Sequence, residues 1–594
     1  MKTARSAHRE GSLDPSRFYI DFRPTSGVDG HSGFGAARLK NQGLRASRSM
    51  SGRVTVYYRG QPRSASPDLP VWMALSDDRL GIIQRSVRYH RPRAPFCGVG
   101  YCTQCLIRVN GQPNVRACEY RPREGDRIES ENAWPSPRHD VYGLIDRLFP
   151  GGIDTVHGFR RPAMLTPLYH RAIRRLAGFG TVADRPPTAT RSGDRLETDA
   201  LIVGGGRAGA AAARVLAAKS ARTIMVDDTG RGPSLFPVPS IAGRAVFLPR
   251  PDSAGPFPFE VLVAREDGTG AVVAARQVLL APGGYDANLV FSGNDRPGVM
   301  TAEGAFRLTP GDSIPPFSAA LVFGGDSRAR EVVERFPKAI RAVAAPGAIT
   351  PELARSASDR GIRLYPKVIL SSAGGTRRVR SATLVPRGTG AAMQLGVDAI
   401  ILAHRRLPNP QLLFQAGARM HWANPVAHYL PDLDDVGRTS IPGLFAAGEV
   451  AGFPETESAE ASGTRAAEAM ASGGPGGAVG TGAADPHPNV LEGYYREFLA
   501  RRTLAGKCVV CPCEDVLLEE VVDASRSGYR GVEVIKRFTG VGTGLCQGRF
   551  CVPETLLLLA ALERRPPAEV GFITQRPPVV PVPLGLLANL PVDP

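Results

Sequence analysis

The spacing of apolar residues changes character several times along the chain. In RVTVYYRGQP (53–62), Val54, Val56 and Tyr58 recur with period two and stop at Arg59-Gly60, which predicts a strand and a turn. Short strands and loops follow to about residue 135, so 51–135 reads as one small unit. Residues 136–195 hold two helical stretches, VYGLIDRLF and LYHRAIRRLAGFG, and then the polar run ADRPPTATRSGDR, and read as a helical connector. A β-run, DALIVGG, opens the next unit at Asp199. Strand and helix signals alternate from there, giving an α/β unit over 196–475. The Gly/Ala/Pro-rich stretch ASGGPGGAVGTGAADPHP reads as a flexible link, and the final unit, 490–594, is helix-rich. Residues 1–50 are rich in Ser, Gly and Arg, lack periodicity and read as a disordered tail. No repeat of solenoid period is present.

Composition adds bounds. The 594 residues correspond to about four units at roughly 150 residues each, and a hydrophobic content of 43% supports a large core. No apolar run reaches the roughly 18–20 residues that a membrane span needs. The basic start, MKTARSAHRE, is not followed by a secretory apolar region, so a cytoplasmic location is expected. The net charge of +17 is mostly Arg. Clustered cations would suggest a polyanion partner. These are dispersed and no nucleic-acid motif accompanies them, so the expectation is GC-biased codon usage and no nucleic-acid partner.

The nine cysteines change the picture, because four lie at 97–118 and five at 508–551 with none between. In a cytosolic chain such grouping points to metal or redox sites. Cys97, Cys102, Cys105 and Cys118 follow C-x4-C-x2-C and then a twelve-residue gap, the plant-type ferredoxin spacing of a [2Fe–2S] cluster. Gly98 and Gly100 permit close backbone approach, and Asn110-Gly111 supplies a turn that returns the fourth thiol. A zinc ribbon is the alternative, but it prefers paired C-x2-C knuckles, and only Cys102 and Cys105 form one. In the second group Cys511 and Cys513 are followed, after 32 residues, by Cys546 and Cys551. This C-x-C…C-x4-C pattern resembles the bacterioferritin-associated-ferredoxin (BFD-like) type of [2Fe–2S] domain. There the intervening helix and turn fold the second pair onto the first, and Gly540, Gly542 and Gly544 suit a tight approach. Zinc stays open for this group, and Cys508 reads as a free or partly buried thiol.

Between the two groups, ALIVGGGRAGAAAARVLAAKSARTIMVDD places Gly204, Gly206 and Gly209 in G-x-G-x-x-G between a β-run and an Ala-rich helix. That context is a dinucleotide fingerprint: Gly206 admits the pyrophosphate and the helix N-terminus faces it. Asp227 is the candidate for the ribose contact, with Asp228 as the alternative; the bland alternative is a Gly-rich turn without ligand. IPGLFAAGEVAG (441–452) has the look of the segment that closes two-dinucleotide flavoproteins. There Gly448 and Glu449 would face the flavin ribityl or pyrophosphate, with Glu where Asp is more usual. VLLAPGGYD (278–286) is similar to the Ala-Thr-Gly strand of those families, with Pro282 replacing Thr. ALVFGGDSRAREV (320–332) sits where a second nucleotide fold would begin, but Asp326 and Arg330 take its later glycine positions, so no NAD(P)H site is expected there.

Long unusual strings carry a wider resemblance: SVRYHRPR (86–93), PNVRACE (113–119), ENAWPSPRHDV (131–141), LVFSGNDRPGVMTAEGA (289–305), GVEVIKRFTGVGTGLCQGRFC (531–551) and QRPPVVPVPLG (575–585). Over roughly 50–594 the chain resembles the alpha chain of heterotetrameric sarcosine oxidase and the related opine, hydroxyproline and proline dehydrogenase and hydrogen cyanide synthase subunits. The resemblance implies an α/β multidomain chain: an N-terminal β-grasp 2Fe-2S ferredoxin-like domain, an FAD/NAD(P)-binding Rossmann-type domain and a small helical C-terminal BFD-like domain. It also implies two [2Fe–2S] clusters, an FAD (NAD being possible), and a hetero-oligomer. In that assembly a D-amino-acid-oxidase-like beta subunit takes hydride from the amine and this chain relays electrons. Three departures matter. Both cysteine sets are present where sarcosine oxidase alpha subunits typically lack them, which points to dye-linked relatives that avoid oxygen. The chain stops before a folate-binding aminomethyltransferase domain, so no transfer to tetrahydrofolate is expected from it. The stretch after Asp228 is short, so the dinucleotide site is trimmed. An NAD(P)H-dependent reductase and a scaffold with a decayed site are the alternative readings, and no catalytic acid–base or nucleophile constellation is visible.

Overall fold

The computed structural model describes residues 52–75, 81–149, 152, 193–228, 236–251, 255–311, 313–473, 490–501 and 506–591. The expected N-terminal tail, the second helical stretch of the connector and most of the Gly/Ala/Pro-rich link lie outside them.

The first sheet contains β1 (Val54–Tyr58), β2 (Gln61–Ala65), β3 (Leu106–Val109), β4 (Gln112–Arg116) and β5 (Arg127–Ser130), in the order β2-β1-β5-β3-β4. β1 runs parallel to β5, and the other neighbours are antiparallel. Its two hairpins turn on Arg59-Gly60 (φ 53 and 78) and Asn110-Gly111 (φ 50 and 85). Paired positive φ values give the two-residue turn whose twist matches the flanking strands. Val56, Ile107, Val109 and Ile128 face the core. This is the mixed sheet of a β-grasp domain, and the loop of Cys97–Cys105 leads straight into β3. Among the described residues of the connector, Val141–Gly143 and Leu144–Leu148 form short helical turns.

The second sheet has the order β9-β8-β7-β6-β10 followed by the strand Leu444–Ala446. Its labelled members are β6 (Asp194–Val203), β7 (Thr223–Asp227), β8 (Ser240–Phe247), β9 (Phe259–Arg265) and β10 (Gly270–Leu280). β6 starts at Asp194, earlier than the apolar run suggests, because Asp194–Thr198 pair with Ala271–Ala275 of β10. β10 is apolar almost throughout and buried along most of its length, as a strand covered on both faces must be. Helix α1 (Arg207–Ala218) is rich in Ala because helix α4 of the final α/β segment, Thr456–Ser472, lies against it. A Cβ on Gly463 would stand 2.1 Å from Ala208 O. β7 pairs in parallel with β8; between them the structure describes residues 228 and 236–239, none of them helical.

The third sheet is all parallel: β11 (Val299–Thr301), β12 (Ala320–Phe323), β13 (Ile340–Ala344), β14 (Arg363–Tyr365) and β15 (Ala399–Leu402), ordered β11-β15-β12-β13-β14. Helices α2 (Ala302–Arg307) and α3 (Ser327–Arg335) flank it. Two antiparallel strands, Gly284–Asp286 and Arg406–Pro408, join the two nucleotide folds. The C-terminal part comprises α5 (Val490–Ala500), a two-stranded ribbon, α6 (Leu518–Arg526), α7 (Val532–Thr539) and α8 (Val552–Glu563). α8 is buried on every side from Val552 to Ala561, consistent with a helix apolar all round. Among the described residues no helix is long and apolar enough to cross a membrane.

Buried charges tie these parts together. Arg93, 1% exposed, donates at once to Asp295 of the central unit and Asp515 of the C-terminal unit. Arg91 forms a two-point pair with Asp295 (2.7 Å each) and reaches Asp146 at 3.1 Å. Arg88 grips Glu520 at 2.7 and 2.8 Å, while the backbone N–H of Arg88 donates to Asp515. The string SVRYHRPR is therefore a clamp. Burial alone would raise the Asp295 carboxyl, but the guanidiniums of Arg91 and Arg93 hold it well below the usual carboxylate range. Replacing Asp295 with Ala would leave buried Arg93 with Asp515 alone and Arg91 with Asp146 alone, a loss of about 3–5 kcal/mol, read as a lower midpoint in urea unfolding. A carboxyl whose folded pKa is depressed stabilises above its unfolded value of about 4 and loses that contribution as pH falls below it. Asp295→Ala should accordingly flatten the acid limb of the stability–pH curve.

Candidate redox sites

Cys97, Cys102, Cys105 and Cys118 are all buried. The β3–β4 hairpin returns Cys118 to the loop, where Ala117 N–H donates to Cys105 O at 2.9 Å. Cys102 N–H donates to Cys97 Sγ at 3.3 Å. Burial opposes ionisation of Cys97. Donation from the thiols of Cys102 and Cys118 and the N–H groups of Val99 and Cys102 nonetheless holds it well below the usual thiol range. Cys102 is raised, first by the hydrogen bond it gives to Cys97 and then by burial; Cys118 is raised by its bonds to Cys105 and Cys97 and by burial. Gly98 and Gly100 both have positive φ (69 and 66). A Cβ at Gly98 would stand 3.1 Å from Gly304 Cα of α2, and one at Gly100 would strike the Glu119 carboxylate. Only glycine lets this loop lie so close to the second nucleotide fold.

Cys511, Cys513, Cys546 and Cys551 are also buried, and their thiols form a closed ring of contacts. Cys513 and Cys551 each donate to Cys511 and Cys546, which raises the two donors and lowers the two acceptors. Backbone N–H groups of Gly542, Gly548 and Phe550 point at the acceptor sulfurs. Gly544 lies against Cys513, whose Cβ would be 2.3 Å from an added methyl group. Beside this ring Arg549 is buried. It donates to Val579 O (2.7 Å) and Cys546 O (3.3 Å), and burial pushes its pKa down. Its guanidinium lies over the Tyr101 ring, and the Tyr285 hydroxyl donates to its backbone O. A buried cation so placed suits an anionic group held by four thiolates. Cys508 is buried in the core beside Tyr494, and its backbone O accepts from Leu518 N–H.

The Gly-rich turn joins β6 to α1. Gly204 (φ 104) and Gly209 are packing positions, since a Cβ would meet Ala281 O at 2.1 Å and Gly204 O at 1.9 Å. Gly206 is the open one: a Cβ there meets nothing within 4 Å, and no side chain caps α1. Asp227 ends β7, is 5% exposed and accepts from Gly205 N–H at 2.9 Å. Asp228 instead pairs with Arg244 at 2.7 Å. The ring of Phe236 lies over Gly205. Gly448 (φ 72) packs on Ala208 and donates to Ser462, while Glu449 is held by Arg406 at 2.5 and 2.9 Å. Arg406 also reaches Asp286, which accepts from Arg328 as well. The turn is thus open at Gly206, whereas the Glu449 carboxylate is engaged in an ion pair. Near it, Asn409 Oδ1 is a buried acceptor without a partner, and Asn409 N–H donates to Gly283 O. In the second nucleotide fold the Asp326 carboxylate caps α3, accepting from Arg328 N–H at 3.0 Å. It puts negative charge where a phosphate would sit.

Four aromatic rings escaped the motif reading. Phe96 meets Phe550 edge-on (5.6 Å between centroids), Tyr285 meets Phe550 (5.6 Å), and Tyr101 meets Tyr285 (6.0 Å). Tyr101 also lies between the guanidiniums of Arg244 and Arg549. The available signal was adjacency: Phe96, Tyr101 and Phe550 each immediately precede a cysteine.

Residues 51–133 match the family model described as a 2Fe-2S iron-sulfur cluster binding domain, and residues 505–590 match the sarcosine oxidase A3 domain. The alpha chain of sarcosine oxidase from Rhizobium meliloti is 27% identical, over 93% of this chain and 59% of that one. An opine oxidase subunit from Agrobacterium tumefaciens is 25% identical, over 66% of this chain and 92% of its own length. The crystal structure of L-proline dehydrogenase from P. horikoshii shares the fold, with a TM-score of 0.62 at 20% identity, covering 91% of this chain and 98% of that one. The matched region thus spans under two thirds of the sarcosine oxidase chain and nearly all of the opine oxidase one.

The glycines of the turn should separate by role. Gly209→Ala should lower the thermal midpoint, because its methyl group meets Gly204 O. Gly206→Val should leave the midpoint near wild type and reduce the dinucleotide released on denaturation. Equal effects of both on stability would contradict this division.

Proposed function

The chain is a relative of the sarcosine oxidase alpha and opine oxidase subunits, and on that premise we propose that it is the electron-transfer subunit of a flavin-dependent amine or imino-acid dehydrogenase complex. Its electrons would come from oxidation of a sarcosine-, opine-, proline- or hydroxyproline-type donor. The observation that carries this reading is the presence of two buried thiol quartets, the second of which shares one continuous core with Cys97, Cys102 and the strand Gly284–Asp286. In this reading Cys97, Cys102, Cys105 and Cys118 hold one [2Fe–2S] cluster, and Cys511, Cys513, Cys546 and Cys551 hold a second. Gly204, Gly206 and Gly209 receive the pyrophosphate of an FAD, or of NAD. Asp227 contacts its ribose, and Gly448 and Glu449 border the ribityl end.

When bound, the clusters supply one-electron transfer and the flavin links it to two-electron chemistry. The chain's own residues do the rest. N–H groups aimed at Cys97, Cys511 and Cys546 stabilise negative sulfur. Burial of both quartets excludes water and oxidants. The Arg406 pair orients Glu449 and neutralises it, so that a second anion can approach. No acid–base constellation is evident among the described residues, so amine oxidation is assigned to a separate D-amino-acid-oxidase-like subunit in a hetero-oligomer. The Asp326 cap weighs against a self-contained NAD(P)H reductase. Retention of both cysteine sets supports an acceptor other than oxygen, and a cytoplasmic setting keeps the thiols reduced for cluster assembly.

Anaerobic purification with iron, sulfide and zinc analysis, followed by EPR of the reduced full chain, tests the cofactor assignment. Two distinct [2Fe–2S] signals are expected, with Cys118→Ser removing one and Cys546→Ser the other. Zinc in place of iron at either quartet overturns it. Dye reduction by the amine should require the partner subunit. NADH-driven dye reduction by the chain alone would favour a reductase.

A further inference from the structure

We propose that the edge-on contact between Phe96 and Phe550 is the electron path between the two clusters, with Tyr285 as the branch toward the dinucleotide fold. The proposal rests on the two-cluster reading above and adds the route between the centres.

The geometry is specific. Phe96 is bonded through one peptide link to Cys97, and Phe550 through one to Cys551. Their rings touch at a centroid distance of 5.6 Å and an interplanar angle of 80°. A path from one quartet to the other therefore follows covalent bonds from Cys97 to the Phe96 ring, makes one van der Waals step, and follows bonds again to Cys551. Both rings are buried, in a core that contains Cys97, Cys102 and all four cysteines of the second quartet. Packed atoms carry electronic coupling better than a gap does, and this interior is packed. Tyr285 contacts Phe550 and Tyr101, and its hydroxyl donates to Arg549 O at 3.1 Å. It lies on the strand Gly284–Asp286, and three residues separate that strand from Leu280, the end of β10 of the first nucleotide fold. One residue thus touches an aromatic neighbour of each quartet and stands beside the proposed flavin site.

The step is a single electron exchange. One ferrous iron of the donor cluster becomes ferric, and one ferric iron of the acceptor cluster becomes ferrous. No covalent bond forms or breaks, no proton moves, and the rings stay neutral. The electron originates in a reduced flavin of the complex, or in the added reductant of the test below.

The test uses the full chain with both clusters loaded and a pulse of photoreductant below one electron per chain, followed by freeze-quench EPR. In wild type, the two signals should reach their equilibrium ratio early. In Phe96→Leu and Phe550→Leu the approach to that ratio should be about tenfold slower, because each leaves a cavity in the path. Iron, sulfide and equilibrium signal shapes should be those of wild type. Phe317→Leu, a buried ring elsewhere in the molecule, controls for general loss of packing and should leave the rate unchanged. The fully reduced wild type should also show mutual broadening of its two signals. Unchanged exchange rates in both path variants, equal slowing in the control, or absence of broadening overturns the route while leaving two clusters in place. Iron and sulfide for one cluster or none overturns the two-cluster reading itself, and the route with it.

Discussion

Arg93 sits fully buried between two carboxylates that come from parts of the chain far apart in sequence. Asp295 and Asp515 each need a cation, Arg93 needs both, and Arg91 and Arg88 complete the set. A buried ion pair adds little net stability over well-packed apolar residues, but breaking one is costly. Its effect here is positional. It fixes the iron–sulfur domain against the central unit and the C-terminal unit in one arrangement, because any other leaves charges unpaired in the interior.

That arrangement brings Cys97 and Cys102 of the first thiol quartet onto the core that holds the second. Each quartet is a small network of alternating sulfur donors and acceptors, and the protons it holds are the ones a cluster would displace. The glycines of both loops follow from the same constraint. At Gly98, Gly100 and Gly544 a side chain would occupy space already taken by α2, Glu119 or Cys513. The loops must lie close to their neighbours so that backbone N–H groups reach the sulfurs.

The first nucleotide fold keeps its Gly-rich turn. Gly204 and Gly209 hold the turn against β10 and itself, Gly206 stays open, and Asp227 is anchored to the turn by Gly205 N–H. Phe236 rests on Gly205. The second nucleotide fold keeps its parallel sheet but has a carboxylate at its phosphate position.

Local chemistry was legible in the sequence. Arg59-Gly60 and Asn110-Gly111 announced hairpins because few residue pairs tolerate two consecutive positive φ values. The cysteine spacings announced four-thiol sites because a short loop has few ways to present such ligands. The G-x-G-x-x-G run announced a strand–turn–helix for the same steric reason, and Asp326 already told against a second phosphate site. Tertiary structure alone decided what depends on pairing across long separations. It started β6 at Asp194, since the partner of that segment lies on β10. It spent Glu449 on Arg406 and Asp228 on Arg244, because ion pairs form between whichever charges the fold brings within reach. It set Phe96 against Phe550, a contact no local pattern encodes, since ring packing is non-directional along the sequence and is fixed only when the Arg93 clamp closes.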